Sequence, residues 1–296
     1  MVSEPDALRR WHDGGEMIEL IVRGARRRVF VRVSGSGPAL LLMHGFPASS
    51  FEWAELEPEL ARRHTVVAFD FLGYGATEKP ADHRYSIFEQ ADLVEALLTK
   101  LEIQDTSVVA YDYGAIVATE LVARAVKTFT LTRCVLLNHG LYARLYRPRP
   151  IQKLTLVPGI GRLLAYALNE RLFTRSWSEV FSASHPLDPA VAALHYRALR
   201  TGAPGRDIHR RLLRYIPERA ANRERLETAM ATTEVPLSFL WGMRDPVSGA
   251  GIATELRRER PDVDLVEYAD AGHCPHIELP DRVAADIIAR TAPARP

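Results

Sequence analysis

The fold is decided by one short stretch, which reads Ser107-Val108-Val109-Ala110-Tyr111-Asp112-Tyr113-Gly114-Ala115. Its apolar first half predicts a buried strand, and the residues after Asp112 predict a helix. Small residues at Ala110 and Gly114 flank the acid at the spacing of a nucleophile elbow, a sharp strand-to-helix turn with little room beside the reactive side chain. The usual residue there is Ser; here it is Asp112, at a helix N-terminus that favours the ionised carboxylate. An ordinary N-cap aspartate is the competing interpretation.

Short apolar runs without strict alternation lie on both sides of this stretch, as expected of parallel strands that are covered on both faces. They occupy residues 39–43, 65–69, 107–110, 134–137, 236–241 and 263–268. Helical patterns separate them, including residues 86–101, which begin with the capping-box residues Ser86 and Glu89, and a last helix at 281–290. Residues 17–23 and 28–33 alternate around a turn, which predicts an antiparallel hairpin at the sheet edge. The pattern predicts an α/β fold with a mostly parallel, doubly wound sheet.

The alternation stops between residues 139 and 233, where Arg, Leu and Ala recur with helical periodicity between prolines. We interpret this segment as a helical insertion in a core formed by residues 1–138 and 234–296. The basic cluster at 206–225 also contains acidic residues, so we interpret it as solvated helix faces rather than a site for polyanions.

Three further motifs follow predicted strands and complete a candidate site. The turn that contains Phe46 follows the first apolar strand, Asp245 follows a later strand, and His273 follows the last one. The order nucleophile, acid, histidine is that of α/β-hydrolase triads, and the carboxyl ends of parallel strands share one edge of the sheet. We therefore predict catalytic roles for Asp112, Asp245 and His273, and an oxyanion hole made by the backbone N–H groups of Phe46 and Tyr113.

Four sequence strings carry a resemblance to a known family. They are His44-Gly45-Phe46-Pro47-Ala48-Ser49-Ser50, Phe69-Asp70-Phe71-Leu72-Gly73-Tyr74-Gly75, Tyr85-Ser86-Ile87-Phe88-Glu89-Gln90 and Asp112-Tyr113-Gly114. From about Met17 to the C-terminus, the chain resembles α/β-hydrolases of the group that includes epoxide hydrolases and haloalkane dehalogenases. Within that group it is most similar to the mesoderm-specific transcript type. The resemblance implies an α/β-hydrolase fold with a helical lid inserted after the sixth strand, and a site between sheet and lid.

The residue types favour a covalent mechanism on a small, apolar, electrophilic substrate. A free aspartate has a pKa of about 3.9, so Asp112 needs no base to become a nucleophile. Attack on an sp³ carbon of an epoxide or alkyl halide gives an alkyl-enzyme ester. His273, oriented by Asp245, then removes a proton from the water that hydrolyses this ester.

The leaving group distinguishes the candidate activities. In the epoxide hydrolases that the chain resembles, hydroxyls of lid tyrosines donate to the epoxide oxygen. In haloalkane dehalogenases an aromatic N–H holds the halide, typically that of a Trp directly after the nucleophile. Here that position is Tyr113, so we favour hydrolysis of an epoxide to a diol. Tyr215 is the preferred donor, and the sequence does not separate Tyr142 from Tyr146 as the second, for which we take Tyr142. Trp177 is a substitute halide donor, although packing is its simpler role. A haloalkane dehalogenase and a non-catalytic binding protein on the same scaffold remain the alternatives.

Composition limits the possible partners and location. The chain has 296 residues, 38 of them basic and 37 acidic, which argues against a nucleic-acid surface and against strong recruitment to anionic membranes. Its two cysteines suit a reducing compartment, the first residues lack a signal-peptide layout, and no run approaches the roughly 20 apolar residues of a membrane span. We therefore expect a cytoplasmic protein. With no zinc constellation and no phosphate-binding loop, we expect neither metal nor cofactor. The oligomeric state is not predicted.

Overall fold

A computed structural model of the chain describes residues 6–124, 126–202 and 205–291. The predicted core boundaries at residues 1 and 296 lie outside the described residues. In the described part the strands form one sheet of eight in the order β1-β2-β4-β3-β5-β6-β7-β8. They are β1 (Glu16–Val22), β2 (Ala25–Ser34), β3 (Ala39–Met43), β4 (Thr65–Phe69), β5 (Asp105–Tyr111), β6 (Thr130–Leu137), β7 (Leu237–Gly242) and β8 (Asp264–Tyr268). Strands β3 to β8 are parallel to one another, and β2 is antiparallel to β4. Strands β1 and β2 form the antiparallel hairpin predicted at the sheet edge.

The strand order creates a switch point between β3 and β5. The chain passes from β3 to β4 on one side and returns to β5 on the other, so the connections leave these two strands in opposite directions. Met43 pairs with Ala110 at the carboxyl ends of β3 and β5. The turn after β3 and the elbow after β5 are therefore adjacent, and both Phe46 and Asp112 lie at this crevice.

The helices lie on both faces of the sheet. They are α1 (Ala7–Asp13), α2 (Glu57–Leu60), α3 (Ile87–Lys100), α4 (Tyr113–Ala123), α5 (Pro150–Leu156), α6 (Ile160–Ala167), α7 (Glu170–Ser178), α8 (Pro189–Arg200), α9 (Ile208–Leu212), α10 (Tyr215–Ala221), α11 (Arg223–Thr232), α12 (Ala250–Glu259), α13 (Pro275–Glu278) and α14 (Pro280–Thr291). Leu41 and Met43 of β3 belong to one buried apolar cluster, and Leu40 and Leu42 belong to the other. Because side chains alternate along a strand, the two clusters are the two faces of the sheet. The α/β-hydrolase fold expectation is confirmed.

Helices α5 to α11 all lie between β6 and β7, where the helical insertion was predicted. Helix α3 begins at the predicted cap, since Ser86 accepts a hydrogen bond from Phe88 N at 3.2 Å. The expected return bond from Glu89 is replaced, because its carboxylate binds His83 at 2.6 Å. Glu218 of α10 instead accepts from Ser86 Oγ at 2.8 Å and Ile87 N at 2.7 Å, which ties the insertion to the core. None of the described helices combines the length and apolar composition that crossing a bilayer requires.

Candidate active site

Asp112 occupies a strained turn between β5 and α4. Its backbone has φ 44° and ψ −108°, a conformation that costs a non-glycine residue about 1 to 3 kcal/mol. Gly114 is required next to it, because a Cβ there would lie 2.4 Å from the carbonyl oxygen of Met43. The strained turn presents the Asp112 carboxylate at the carboxyl edge of the sheet, as the sequence predicted for an elbow.

Two backbone groups face the Asp112 carboxylate. Phe46 N donates to Asp112 Oδ2 at 3.1 Å, and Tyr113 N is also hydrogen-bonded to this side chain. Burial raises the pKa of Asp112, and the positive charge of His273 and these two N–H groups partly offset that effect. The N–H groups of both predicted oxyanion donors therefore converge on the Asp112 carboxylate.

The turn that carries Phe46 is fixed by two buried side chains, those of His44 and of Glu52, and sequence reasoning missed the second. Glu52 Oε1 accepts from Gly45 N at 2.8 Å. His44 Nε2 accepts from Phe71 N at 3.1 Å, and its Nδ1 lies 2.9 Å from Gly45 O. Burial raises the pKa of Glu52 to about 8. These contacts hold the Phe46 N–H in position.

His273 lies between the two carboxylates. Its Nδ1 is 2.7 Å from Asp245 Oδ2, and its Nε2 is 3.8 Å from Asp112 Oδ1. Burial alone would lower the pKa of His273, but the Asp245 and Asp112 charges outweigh it and raise the pKa to about 9. Burial alone would raise the pKa of Asp245, but the His273 charge and hydrogen bonds from its neighbours outweigh it, so the pKa is lowered. The structure thus brings the three predicted residues together.

Asn138 binds and orients Asp245. Its Nδ2 donates to Asp245 Oδ2 at 2.9 Å and to Gly242 O at 3.0 Å, and its Oδ1 accepts from Gly242 N at 2.6 Å. The amide therefore joins the ends of β6 and β7 and orients the acid. Sequence reasoning missed it, although a polar residue directly after a predicted parallel strand was a usable signal.

Glu278 holds the loop that carries His273. Its carboxylate accepts from Gly272 N at 2.9 Å and from Cys274 N at 3.3 Å, and thus binds the backbone on both sides of the histidine. It also accepts from Ser182 N at 3.1 Å, so the same carboxylate joins the histidine loop to the helical insertion.

A pair of tyrosines from the insertion lies next to the triad. The hydroxyl oxygens of Tyr146 and Tyr215 are 3.4 Å apart, and the Tyr215 ring packs on Tyr113 at 5.1 Å. Burial first, and then the Asp112 charge, raise the pKa of Tyr146. Arg219 lies 4.8 Å from the centre of the Tyr146 ring and opposes this increase. The Arg219 side chain is buried, and its Nη2 has no hydrogen-bond partner among the described residues.

The other two expected lid residues differ, since Tyr142 lies outside the cavity and Trp177 lines it. Tyr142 does not reach the cavity: burial and a hydrogen bond to Glu259 of α12 raise the pKa of its hydroxyl. Tyr146, four residues further on, takes the place expected for Tyr142 because its side chain is the one directed to Tyr215. Trp177 lines the cavity and packs against Phe173, Phe181 and His195.

A cavity of about 480 Å³ connects these groups. Asp112, His273 and Phe46 line it on the side of the core, and α5, α6 and α7 of the insertion contribute about half of the other lining residues. Apolar side chains predominate among the lining residues, which include Leu164, Leu168, Phe173, Trp177 and Leu213. This volume and lining suit a small or medium-sized apolar molecule. In the described ranges no group of three His, Cys, Asp or Glu residues could hold a metal ion. The expected absence of a cofactor stays a prediction.

Comparison with known proteins agrees with the fold. The sequence matches the alpha/beta hydrolase fold family over residues 38–280. It is 37% identical to LipZ, a proposed hydrolase of Mycobacterium tuberculosis, over 94% of this chain and 96% of that protein. It is 34% identical to the human mesoderm-specific transcript homolog protein, over 93% of this chain and 84% of that one. The resemblance to the mesoderm-specific transcript type is confirmed.

A solved haloalkane dehalogenase, DbeA from Bradyrhizobium elkani, has the same fold. The two structures superpose with a TM-score of 0.77 at 21% identity, over 93% of this chain and 97% of that one. The family match covers most of the sequence, and the relatives align along nearly the whole chain. The protein belongs to the alpha/beta hydrolase fold family.

Proposed function

We propose that this hydrolase opens epoxides to diols through an ester on Asp112. The observation that carries the proposal is a buried carboxylate on a strained elbow with a tyrosine hydroxyl pair beside it. The carboxylate supplies the nucleophile, and the hydroxyls of Tyr146 and Tyr215 supply the proton that a departing alkoxide needs. Asp112 and Tyr146 line one apolar cavity, and the Tyr215 hydroxyl lies 3.4 Å from that of Tyr146.

In the first step a carboxylate oxygen of Asp112 attacks one epoxide carbon, and the bond from that carbon to the epoxide oxygen breaks. The oxygen takes a proton from the tyrosine pair, so a hydroxyalkyl ester and a tyrosinate result. Arg219 stabilises this new negative charge, because its guanidinium lies 4.8 Å from the Tyr146 ring in a buried setting. The tyrosinate regains its proton from the imidazolium of His273, which becomes neutral in the second step.

The second step depends on a change in His273 that the first step causes. Asp112 and Asp245 together keep the pKa of the His273 ring at about 9. Esterification removes the Asp112 charge, so this pKa falls and a neutral imidazole becomes available at the point where a base is needed. His273 then takes a proton from water, whose oxygen adds to the ester carbonyl of Asp112. The N–H groups of Phe46 and Tyr113 hold the resulting oxyanion. Its collapse breaks the bond between the Asp112 carbonyl carbon and the alkyl oxygen. That oxygen takes the second proton of the water and leaves as part of the diol, and Asp112 returns as a carboxylate.

The two predicted parts of the chain have separate roles. Residues 139–233 form the lid, and residues 1–138 and 234–296 form the catalytic core. The enzyme acts on small apolar epoxides without a cofactor. Both cysteines, Cys134 and Cys274, are buried and unpaired, which suits the cytoplasmic location expected from the sequence.

Two alternatives have weaker support. A haloalkane dehalogenase would hold halide with an aromatic N–H, but the position after the nucleophile is Tyr113, whose ring packs on Tyr74 at 5.5 Å and Phe71 at 5.4 Å. The Trp177 ring is part of an aromatic cluster. A non-catalytic binding protein would not need the close contact of His273 and Asp245 beside an unesterified carboxylate.

The test is product analysis on a mixed panel of epoxides and haloalkanes. We expect diols from epoxides, and no diol from the near-isosteric variant Asp112→Asn. Halide release without diol formation would favour a dehalogenase. Neither product from the folded wild-type protein would favour the binding protein.

A further inference from the structure

The outer surface of the insertion is unusually apolar. Seven of the ten exposed large hydrophobic residues in the described part of the chain lie in one short segment: Ile151, Leu154, Val157, Ile160, Leu163, Tyr166 and Leu172. Ile151 and Leu154 lie on α5, Ile160, Leu163 and Tyr166 lie on α6, and Leu172 lies on α7, with Val157 between the first two helices. Leu163 is 73% exposed and Tyr166 is 50% exposed. We call these seven residues the apolar face; contiguous patches of this kind mark interaction sites.

Unpaired positive charge lies in the same segment as the apolar face. Residues 147–175 contain six basic side chains and a single acidic one, Glu170. Five of the six are exposed, and none of these five forms an ion pair with any described residue: Arg147, Lys153, Arg162, Arg171 and Arg175. The near-zero net charge of the whole chain therefore conceals a strongly cationic segment. The expectation of no strong recruitment to anionic membranes was based on the charge of the whole chain, which does not describe this segment.

The catalytic cavity opens through the same surface. Ile151 and Leu172 both line the cavity, yet they are 41% and 45% exposed. A side chain that is both lining and exposed marks the rim of the opening. A molecule that leaves the apolar face can thus pass directly to Asp112.

We propose that the apolar face binds the surface of an anionic lipid bilayer, from which the enzyme takes apolar substrate. The apolar side chains enter the boundary between headgroups and acyl chains, and the surrounding cations contact the anionic headgroups. A second copy of the chain fits less well, because a two-fold contact through this face would bring two cationic rims together. The lipid-binding step is independent of the proposed function, but its role in substrate supply rests on it.

Vesicle flotation tests the binding step. Vesicles made of equal parts phosphatidylcholine and phosphatidylglycerol should carry the protein, and vesicles of phosphatidylcholine alone should carry much less. Arg162→Gln with Arg171→Gln should reduce the partition coefficient about fivefold for each charge. Leu163→Ser with Tyr166→Ser should reduce it at least about tenfold, since both side chains are exposed and neither lines the cavity. Ile21→Ser, which changes a 61% exposed residue on edge strand β1, is the matched control and should not alter binding.

The outcomes separate this inference from the proposed function. Binding by the wild type that Leu163→Ser with Tyr166→Ser abolishes supports the inference, whether or not epoxides are hydrolysed. Absence of binding to the anionic vesicles overturns it. So does sedimentation showing a dimer that the same two substitutions dissociate. If epoxides are hydrolysed, these variants should turn over a water-soluble epoxide normally and lose rate only on an epoxide dissolved in vesicles.

Discussion

Removing the hydroxyls of Tyr146 and Tyr215 should slow epoxide opening and leave the rest of the site intact. The two oxygens are 3.4 Å apart, so both can donate to one epoxide oxygen. A preorganised donor to a developing oxyanion contributes about 3 kcal/mol, so each Phe variant should form the ester roughly 100-fold more slowly. The double variant should lose less than the product of the single effects, since the two hydroxyls act as one unit on the same epoxide oxygen and removing either one disrupts that unit.

The assay is single-turnover formation of the ester, quenched and quantified by mass spectrometry. Tyr142→Phe is the matched control, because its hydroxyl binds Glu259 instead of lining the cavity. It should form the ester at the wild-type rate. Equal losses in Tyr142→Phe and Tyr146→Phe, or unchanged rates in Tyr146→Phe and Tyr215→Phe, would refute the assignment of the hydroxyl pair.

Three further predictions concern buried charge. Arg219→Met removes a guanidinium that lies 4.8 Å from the Tyr146 ring, so it should raise the activation free energy of epoxide opening by up to about 3 kcal/mol. The midpoint temperature of thermal unfolding should not fall. A lower midpoint together with unchanged ester formation would assign Arg219 to folding alone. Folding raises the pKa of Glu52 from 4.5 to about 8, so its protonated form stabilises the fold fully below pH 4.5, and this stability is lost as the pH rises to 8. Urea unfolding across that pH range should therefore show the free energy of unfolding of Glu52→Gln rising relative to that of the wild type, by roughly 5 kcal/mol at most. A difference between the two proteins that does not change with pH would contradict this. Burial raises the pKa of Asp112 above its ordinary value of 3.8. When the pH is lowered, kcat/KM should therefore begin to fall before pH 3.8 is reached. A pH profile of kcat/KM that stays flat below 3.8 would be evidence against Asp112 as the nucleophile.

The parts that the sequence predicted well are those with a local signal. Strands β3 and β4 begin and end at the predicted residues, because each is a short apolar run with sharp polar boundaries. Asp112, Asp245 and His273 each follow such a run, and parallel strands place their carboxyl ends along one edge. Local pattern and sheet geometry were therefore enough to bring the three residues together.

The parts that were missed depend on contacts between distant residues. Asn138 lies 107 positions from Asp245, to which it donates a hydrogen bond. Glu218 lies 132 positions from Ser86 and binds it at the start of α3, where Glu89 was the expected partner. Between β6 and α5 the chain has no regular periodicity, so the sequence could not show whether Tyr142 or Tyr146 points to Tyr215. Side-chain direction in such segments is set by tertiary packing.

The central claim is a covalent ester on Asp112, and His273→Gln tests it most directly. This variant keeps a polar side chain next to Asp245 but removes the base for the second step, so the ester should accumulate. After reaction with an epoxide, the intact mass should rise by the mass of one substrate molecule, and the modified peptide should contain Asp112. Diol formation by this variant without any adduct, or an adduct on another residue, would contradict the claim.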